Sequence, residues 1–215
     1  MGISICRLVL RPGPDMKKLL VLGLLWLCTS SWADVFVRDD IIADPAPSQL
    51  SVCHENGCNR LEYVSLTFEQ WQELRGLFHP LARSPEEERE RLRRALALME
   101  KFVGAATGTS RDKGGTFNGG EGQMDCIDES INTTLYLTML QKYGLMREHR
   151  VEDRATRGWF LGGWPHTTAV ISEAAVLGEQ GRGRLWAIDS WFLDNGEPPF
   201  ILPLETWKAG WEPIR

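Results

Sequence analysis

The sequence contains only a few cysteines and histidines, the residues that most often carry nucleophilic and metal chemistry. It has five cysteines and four histidines among 215 residues. It lacks the Gly-x4-Gly-Lys-Ser/Thr pattern of a phosphate-binding loop and has no internal repeat. Hydrophobic residues make up 43% and charged residues 25%, which disfavours a disordered chain and a multi-span membrane protein. Nine tryptophans are many for this length and are typical of cores and of partly wet grooves.

Residues 1–33 predict a segment that directs export. A positive start at 16–18 precedes the apolar run 19–27, and the small residues Ser31 and Ala33 stand at the −3 and −1 positions. We predict cleavage after Ala33 and a periplasmic or secreted protein. Residues 1–15 fit this pattern poorly, so translation from Met16 is an alternative start. The apolar run is short for a membrane span, so we expect no stable anchor after cleavage; an uncleaved anchor is the alternative.

The charge balance argues against nucleic-acid binding. The chain has 24 basic and 29 acidic residues, a net charge of −5. Residues 1–33 contain four of the basic and one of the acidic residues, which leaves 20 basic and 28 acidic residues, net −8. A surface this acidic repels phosphates, so we expect no nucleic-acid partner.

The cysteines that remain after cleavage predict one disulfide and one free thiol. Cys53 and Cys58 enclose a short loop with an Asn-Gly turn, and an exported protein can oxidise such a pair. Cys126 is then unpaired, which calls for a reason in an exported protein. A metal site formed by Cys53, His54 and Cys58 is the alternative.

The pattern of elements predicts an α+β fold with N-terminal helices packed on an antiparallel β-sheet. Residues 34–66 predict an extended N-terminal segment in which a piece of 34–50 and the strand at 61–66 form a hairpin, and residues 67–215 predict the main domain. Helices come first along this domain and strands follow, which is typical of α+β proteins. We expect helices from Phe68 toward Pro80, over 85–106 and over 126–143, a loop over 107–124, and strands over 61–66, 166–171 and 184–189.

Cys126 is placed where a thiol can become a nucleophile. Asp125 is a predicted N-cap, with Asp128 three residues later, so Cys126 is the first residue of a helix. The N-terminus of a helix stabilises negative charge, and its free N–H groups can hold an oxyanion. The acidic residues Asp125, Asp128 and Glu129 act in the opposite direction on the thiolate.

A histidine and a carboxylate are predicted to meet at one edge of the sheet. His166 begins a predicted strand and Asp189 ends the next one, so antiparallel pairing brings them together. Asp194 or Asn195 are alternative partners for the histidine. The other histidines fit less well: His54 lies in the disulfide loop, His79 in a turn, and His149 in a solvated stretch.

Two motifs resemble the transglutaminase-like family of papain-like cysteine proteases and acyltransferases, in its bacterial periplasmic form. Residues 122–129 look like the nucleophile motif of that family, and residues 185–191 look like its aspartate motif. The resemblance covers about residues 90–195. Thr167 and Thr168 follow the histidine, where many members have an aromatic residue.

The resemblance implies a thiol hydrolase or acyltransferase that acts on peptide or isopeptide bonds of a protein or peptide substrate. Cys126 is the implied nucleophile, His166 the general base and Asp189 the carboxylate that orients it. Gln123 is a candidate oxyanion donor.

The resemblance also allows a calcium ion near the site, and no other cofactor is expected. Its candidate ligands are Asp125, Asp128 and Glu129. Trp164 and Trp191 flank the candidate triad and are candidate walls of a substrate groove, with burial in the core as the alternative.

Two other functions stay open. A cell-wall peptidase with a thiol site shares the Asp125-Cys126 pair but not the residues after it. A non-catalytic binding module on the same scaffold predicts a thiol no more reactive than free cysteine.

Overall fold

The computed structural model describes residues 38–158, 165–174 and 183–214. The predicted export segment lies outside these residues. Two strands and three helices come first, and four strands and a short helix follow. In chain order they are β1 (Leu50–His54), β2 (Arg60–Val64), α1 (Phe68–Gly76), α2 (Pro85–Thr107), α3 (Cys126–Lys142), β3 (His149–Arg157), β4 (His166–Glu173), β5 (Leu185–Asp189), β6 (Phe200–Pro203) and α4 (Leu204–Lys208).

The last four strands form one antiparallel sheet in the order β3-β4-β5-β6. The pairing of the two central strands determines where the candidate site lies. In this pairing Ala169 on β4 lies opposite Ile188 on β5. The first residue of β4 and the last residue of β5 therefore lie at the same end of this strand pair, as predicted. The α+β class predicted from the sequence is confirmed.

Side chains on β4 and β5 alternate between two cores, as strand geometry requires. Ala169 and Ile188 face the main core, which also contains α2 and α3. Val170 and Ala187 face the other side, where α4 covers them with Trp207. The sheet is thus covered on both faces beside the edge that carries the candidate site.

The N-terminal hairpin differs from the prediction mainly in its first strand. The sequence suggested pairing between residues 34–50 and 61–66, but β1 at 50–54 pairs with β2 at 60–64. The pairing places the predicted disulfide at the turn of the hairpin: the sulfur atoms of Cys53 and Cys58 are 1.95 Å apart, which is compatible with that disulfide. The alternative metal site has no support here, since the described residues contain no cluster able to hold a metal.

The helix starts follow the capping signals in the sequence. Thr67 caps α1 in a capping box with Gln70, and Ser84 caps α2 ahead of Pro85 at the first turn. The prediction for α1 was wrong in part, because the helix ends at Gly76, before Pro80. No helix among the described residues is long and apolar enough to cross a membrane.

The prediction that His149 lies in a solvated stretch was wrong. His149 has no exposed surface and begins β3, a strand that the sequence did not predict. Its Nδ1 lies 3.0 Å from Glu88 Oε1, and its Nε2 lies 3.1 Å from Arg89 Nη1. Both partners come from α2, so His149 joins that helix to the edge strand.

Candidate active site

Helix α3 presents Cys126 at its first position. The side chain of Asp125 accepts hydrogen bonds from the N–H groups of Ile127 at 2.9 Å and Asp128 at 3.0 Å. Asp128 accepts one in return from the Asp125 N–H at 3.1 Å, which completes a capping box. These bonds leave out the N–H of Cys126, for which the described residues provide no acceptor on another residue.

The histidine and the carboxylate meet as the hairpin geometry predicted. His166 Nε2 lies 2.7 Å from Asp189 Oδ2, and both side chains are buried. The alternative partner Asp194 binds Lys113 and the N–H of Gly114 instead.

Cys126 lies against the chain on either side of His166. Its sulfur is 4.0 Å from the carbonyl oxygen of Pro165, and the N–H of Thr167 also reaches it. His166 Nδ1 is buried and has no hydrogen-bond partner in the part of the chain that is described. The thiol therefore lies against the backbone that flanks His166, and no hydrogen bond joins it to the imidazole.

The thiol is uncharged at neutral pH. Burial, with smaller contributions from the charges of Asp125 and Asp189, raises the pKa of Cys126 to about 12. The N–H of Thr167 acts in the opposite direction. The start of a helix does not overcome the loss of solvent, so the expected stabilisation of the thiolate is absent from the resting protein.

The candidate oxyanion donor Gln123 is engaged elsewhere. Its side-chain Nε2 donates to the carbonyl oxygen of Arg111 at 3.1 Å, and its Oε1 accepts from the N–H of Lys113 at 3.4 Å. These bonds tie Gln123 into the loop before α3, and the N–H of Cys126 is the better placed donor for an oxyanion.

The three candidate calcium ligands each accept hydrogen bonds from different protein groups, and their side chains do not converge on one point. Asp125 caps α3, whereas Asp128 also accepts the N–H groups of Asn56 at 2.8 Å and Cys58 at 2.6 Å. Glu129 accepts the hydroxyl of Ser190 at 2.6 Å. Among the described residues they form no metal-binding cluster.

A buried acidic network behind the site was not found from the sequence. Glu129 on α3 faces Glu100 on α2 across a cavity of about 10 Å³, about the size of one water molecule. Burial raises the pKa of Glu129 well above its ordinary value, and the charge of Glu100 adds to this effect. The hydroxyl of Ser190 ties the network to Asp189, the residue before it.

Aromatic rings surround His166. The ring of Trp191 lies 4.9 Å from that of His166 and 4.9 Å from that of Phe117, measured between centroids. Trp191 thus flanks the site, and the other candidate wall, Trp164, lies outside the described residues. Trp207 was missed: its indole N–H donates to Asp189 Oδ2 at 2.7 Å. The only signal in the sequence was the unusual number of tryptophans.

Comparisons with known proteins leave this geometry to be interpreted by itself. No family model matches the chain, and no curated protein or solved structure matches it either.

Proposed function

We propose that the protein is a thiol hydrolase or acyltransferase with a transglutaminase-like scaffold, acting on peptide or isopeptide bonds. The observation that carries the proposal is the 2.7 Å pair of His166 and Asp189 beside Cys126, the first residue of a helix. A nucleophile, a base and a group that orients the base are the parts that nucleophilic catalysis requires.

In the proposed reaction the sulfur of Cys126 attacks the acyl carbon while its proton passes to His166 Nδ1. The N–H of Cys126 donates to the oxyanion. Collapse of the intermediate breaks the acyl–nitrogen bond, and the leaving amine takes the proton from His166. Water or a second amine then attacks the thioester, its proton passes by way of His166 to the sulfur, and the carbon–sulfur bond breaks to release Cys126 as the thiol. The carboxyl group of Asp189 holds the imidazole through its contact with Nε2 and balances the positive charge that the ring gains.

Export of the protein is part of the proposal. It is supported by the export-like residues 1–33 and by the Cys53–Cys58 pair at bonding distance. Trp191, and Trp164 from the sequence, are the proposed walls of the substrate groove.

A non-catalytic binding module is the second candidate function. It is favoured by the burial of the Cys126 thiol, because a pKa of about 12 keeps this thiol protonated at neutral pH. In that case His166 and Asp189 would serve only to stabilise the edge of the sheet.

An activated acyl ester separates the two functions. We would incubate the protein with p-nitrophenyl acetate and follow the acetyl adduct by mass spectrometry, with Cys126→Ala, His166→Ala and the control His79→Ala, an exposed histidine. The catalytic proposal predicts an adduct on Cys126 that forms at least about 100-fold more slowly in His166→Ala and normally in His79→Ala. An equal rate in His166→Ala would refute the proposal, and so would the absence of any adduct in the wild type.

The substrate class follows from a second assay on the same variants. A peptide library and purified cell wall are both incubated with the protein, and released amines are measured. Release from peptides supports the proposed peptidase or acyltransferase, whereas release from cell wall alone supports the cell-wall peptidase.

A further inference from the structure

Trp207 and His166 share one oxygen atom of Asp189. The indole N–H of Trp207 and Nε2 of His166 each lie 2.7 Å from Asp189 Oδ2. All three side chains are buried. We propose that Trp207 is a positioning residue that holds the proton of His166 on Nε2, so that Nδ1 is left as the base. This inference rests on the proposed function for its catalytic consequence only.

The hydrogen-bonding capacity of the shared oxygen carries the inference. An indole N–H can only donate, and a carboxylate oxygen accepts through two lone pairs. Trp207 takes one lone pair of Asp189 Oδ2, and His166 takes the other. A protonated Oδ2 that donates to Nε2 would offer the indole N–H only a hydroxyl oxygen, which is a weaker acceptor than a carboxylate oxygen, so the bond from Trp207 favours an Oδ2 that accepts from both partners. Nε2 of His166 therefore carries the proton.

A neutral imidazole that carries its proton on Nε2 has a free lone pair on Nδ1. Nδ1 of His166 is buried and has no hydrogen-bond partner among the described residues. A buried acceptor without a hydrogen bond destabilises the folded protein, so its presence calls for a functional explanation. Its proposed task is to take the proton of Cys126.

Trp207 is itself held in place by Arg157 and by the sheet. The guanidinium of Arg157 lies 4.5 Å from the centre of the Trp207 ring and donates to its carbonyl oxygen. Arg157 is the neighbour of His166 in the register of β3 and β4. Val170 and Ala187 pack around the ring. The indole is thus fixed between the guanidinium, the sheet and the carboxylate.

The chain offers a matched control in Trp186 on β5. Its indole N–H donates to Glu173 Oε1 at 3.0 Å, and the guanidinium of Arg89 lies 3.7 Å from the centre of its ring. This is the same kind of bond in the same sheet, but it makes no contact with Asp189. A purely structural role for an indole–carboxylate bond predicts similar effects for Trp186→Phe and Trp207→Phe.

The test is nitrogen NMR of the His166 ring in the wild type, Trp207→Phe and Trp186→Phe, combined with the acetylation rate. We expect a proton on Nε2 in the wild type and in Trp186→Phe, and a mixture of both tautomers in Trp207→Phe. Acetylation of Cys126 should slow about 10- to 100-fold in Trp207→Phe and change less than about twofold in Trp186→Phe.

A wild-type spectrum with the proton on Nδ1 would overturn the inference, even if Trp207→Phe does not fold. It is also overturned if Trp207→Phe keeps the wild-type tautomer. A tautomer that changes in Trp207→Phe in a protein that forms no acetyl adduct supports the positioning role while the proposed function fails. The two failures are therefore distinguishable.

Discussion

Glu100 provides a direct test of the acidic network behind the site. Its side chain is buried in α2, and its Oε2 accepts the N–H of Gly196 at 2.7 Å. Burial, which outweighs the bond from Gly196, and the charge of Asp112 together raise the pKa of Glu100 to about 8. We therefore predict that Glu100 is protonated in the folded protein at neutral pH.

The direction of the effect on stability follows from the two states. In the unfolded chain Glu100 has its ordinary pKa of 4.5, so the folded state holds a proton that the unfolded state releases. The contribution of Glu100 to the free energy of unfolding is highest below pH 4.5, falls as the pH rises and levels off above about 8. The full effect is about 5 kcal/mol, of which about 3 kcal/mol is reached at neutral pH.

Glu100→Gln removes this titration and keeps an acceptor for Gly196. We expect the variant to match the wild type near the ordinary pKa and to gain up to about 3 kcal/mol in free energy of unfolding at neutral pH. Urea unfolding over a series of pH values measures both. Glu90→Gln, an exposed position on the same helix, is the control. Stability curves for Glu100→Gln and the wild type that run parallel with pH would refute the reasoning.

Three further predictions concern the contacts that hold the site. Gly114→Ala should cost about 1 to 3 kcal/mol, because a Cβ would lie 2.4 Å from the backbone of Leu193; a thermal midpoint equal to that of the wild type contradicts this. Asn132→Ala should cost about 2 to 4 kcal/mol, because Asn132 bonds both backbone groups of Cys53 at 2.8 Å; urea unfolding measures the loss. Burial raises the pKa of Glu88. Hydrogen bonds from the start of β3 and from the residues before that strand outweigh burial and hold this pKa below its ordinary 4.5. Glu88→Gln should therefore be less stable than the wild type at neutral pH, and the two should converge as the pH falls below that value.

The sequence predicted the parts of the site that depend on local signals. The cap at Asp125 fixed the start of α3 and therefore the position of Cys126. Antiparallel pairing of two adjacent strands was enough to bring His166 to Asp189. Such features depend on a few neighbouring residues, so a single sequence contains them.

The parts that were missed depend on contacts between distant segments. Trp207 belongs to a five-residue helix after a proline-rich stretch, and nothing nearby indicates that it reaches Asp189. His149 stands among charged residues and looks solvated, yet its partners Glu88 and Arg89 lie some 60 residues earlier. In the sequence Glu100 looks like the exposed glutamates of α2, but in the structure the packing of α3 buries it. Burial of a charged residue is set by tertiary packing, which periodicity alone does not reveal.

The burial of Cys126 determines when its proton is lost under the proposed function. A resting thiolate–imidazolium pair would have to be desolvated, and the pKa of about 12 indicates that the protein does not stabilise it. Transfer to His166 Nδ1 must therefore accompany attack on the acyl carbon, when the negative charge moves to an oxyanion that the N–H of Cys126 can bind. A pH profile of the free protein follows from this. Alkylation of Cys126 by iodoacetamide tracks the thiolate and should keep rising to about pH 10. Alkylation that reaches a plateau near neutral pH would show that the thiolate exists before the substrate binds, and concerted transfer would be wrong.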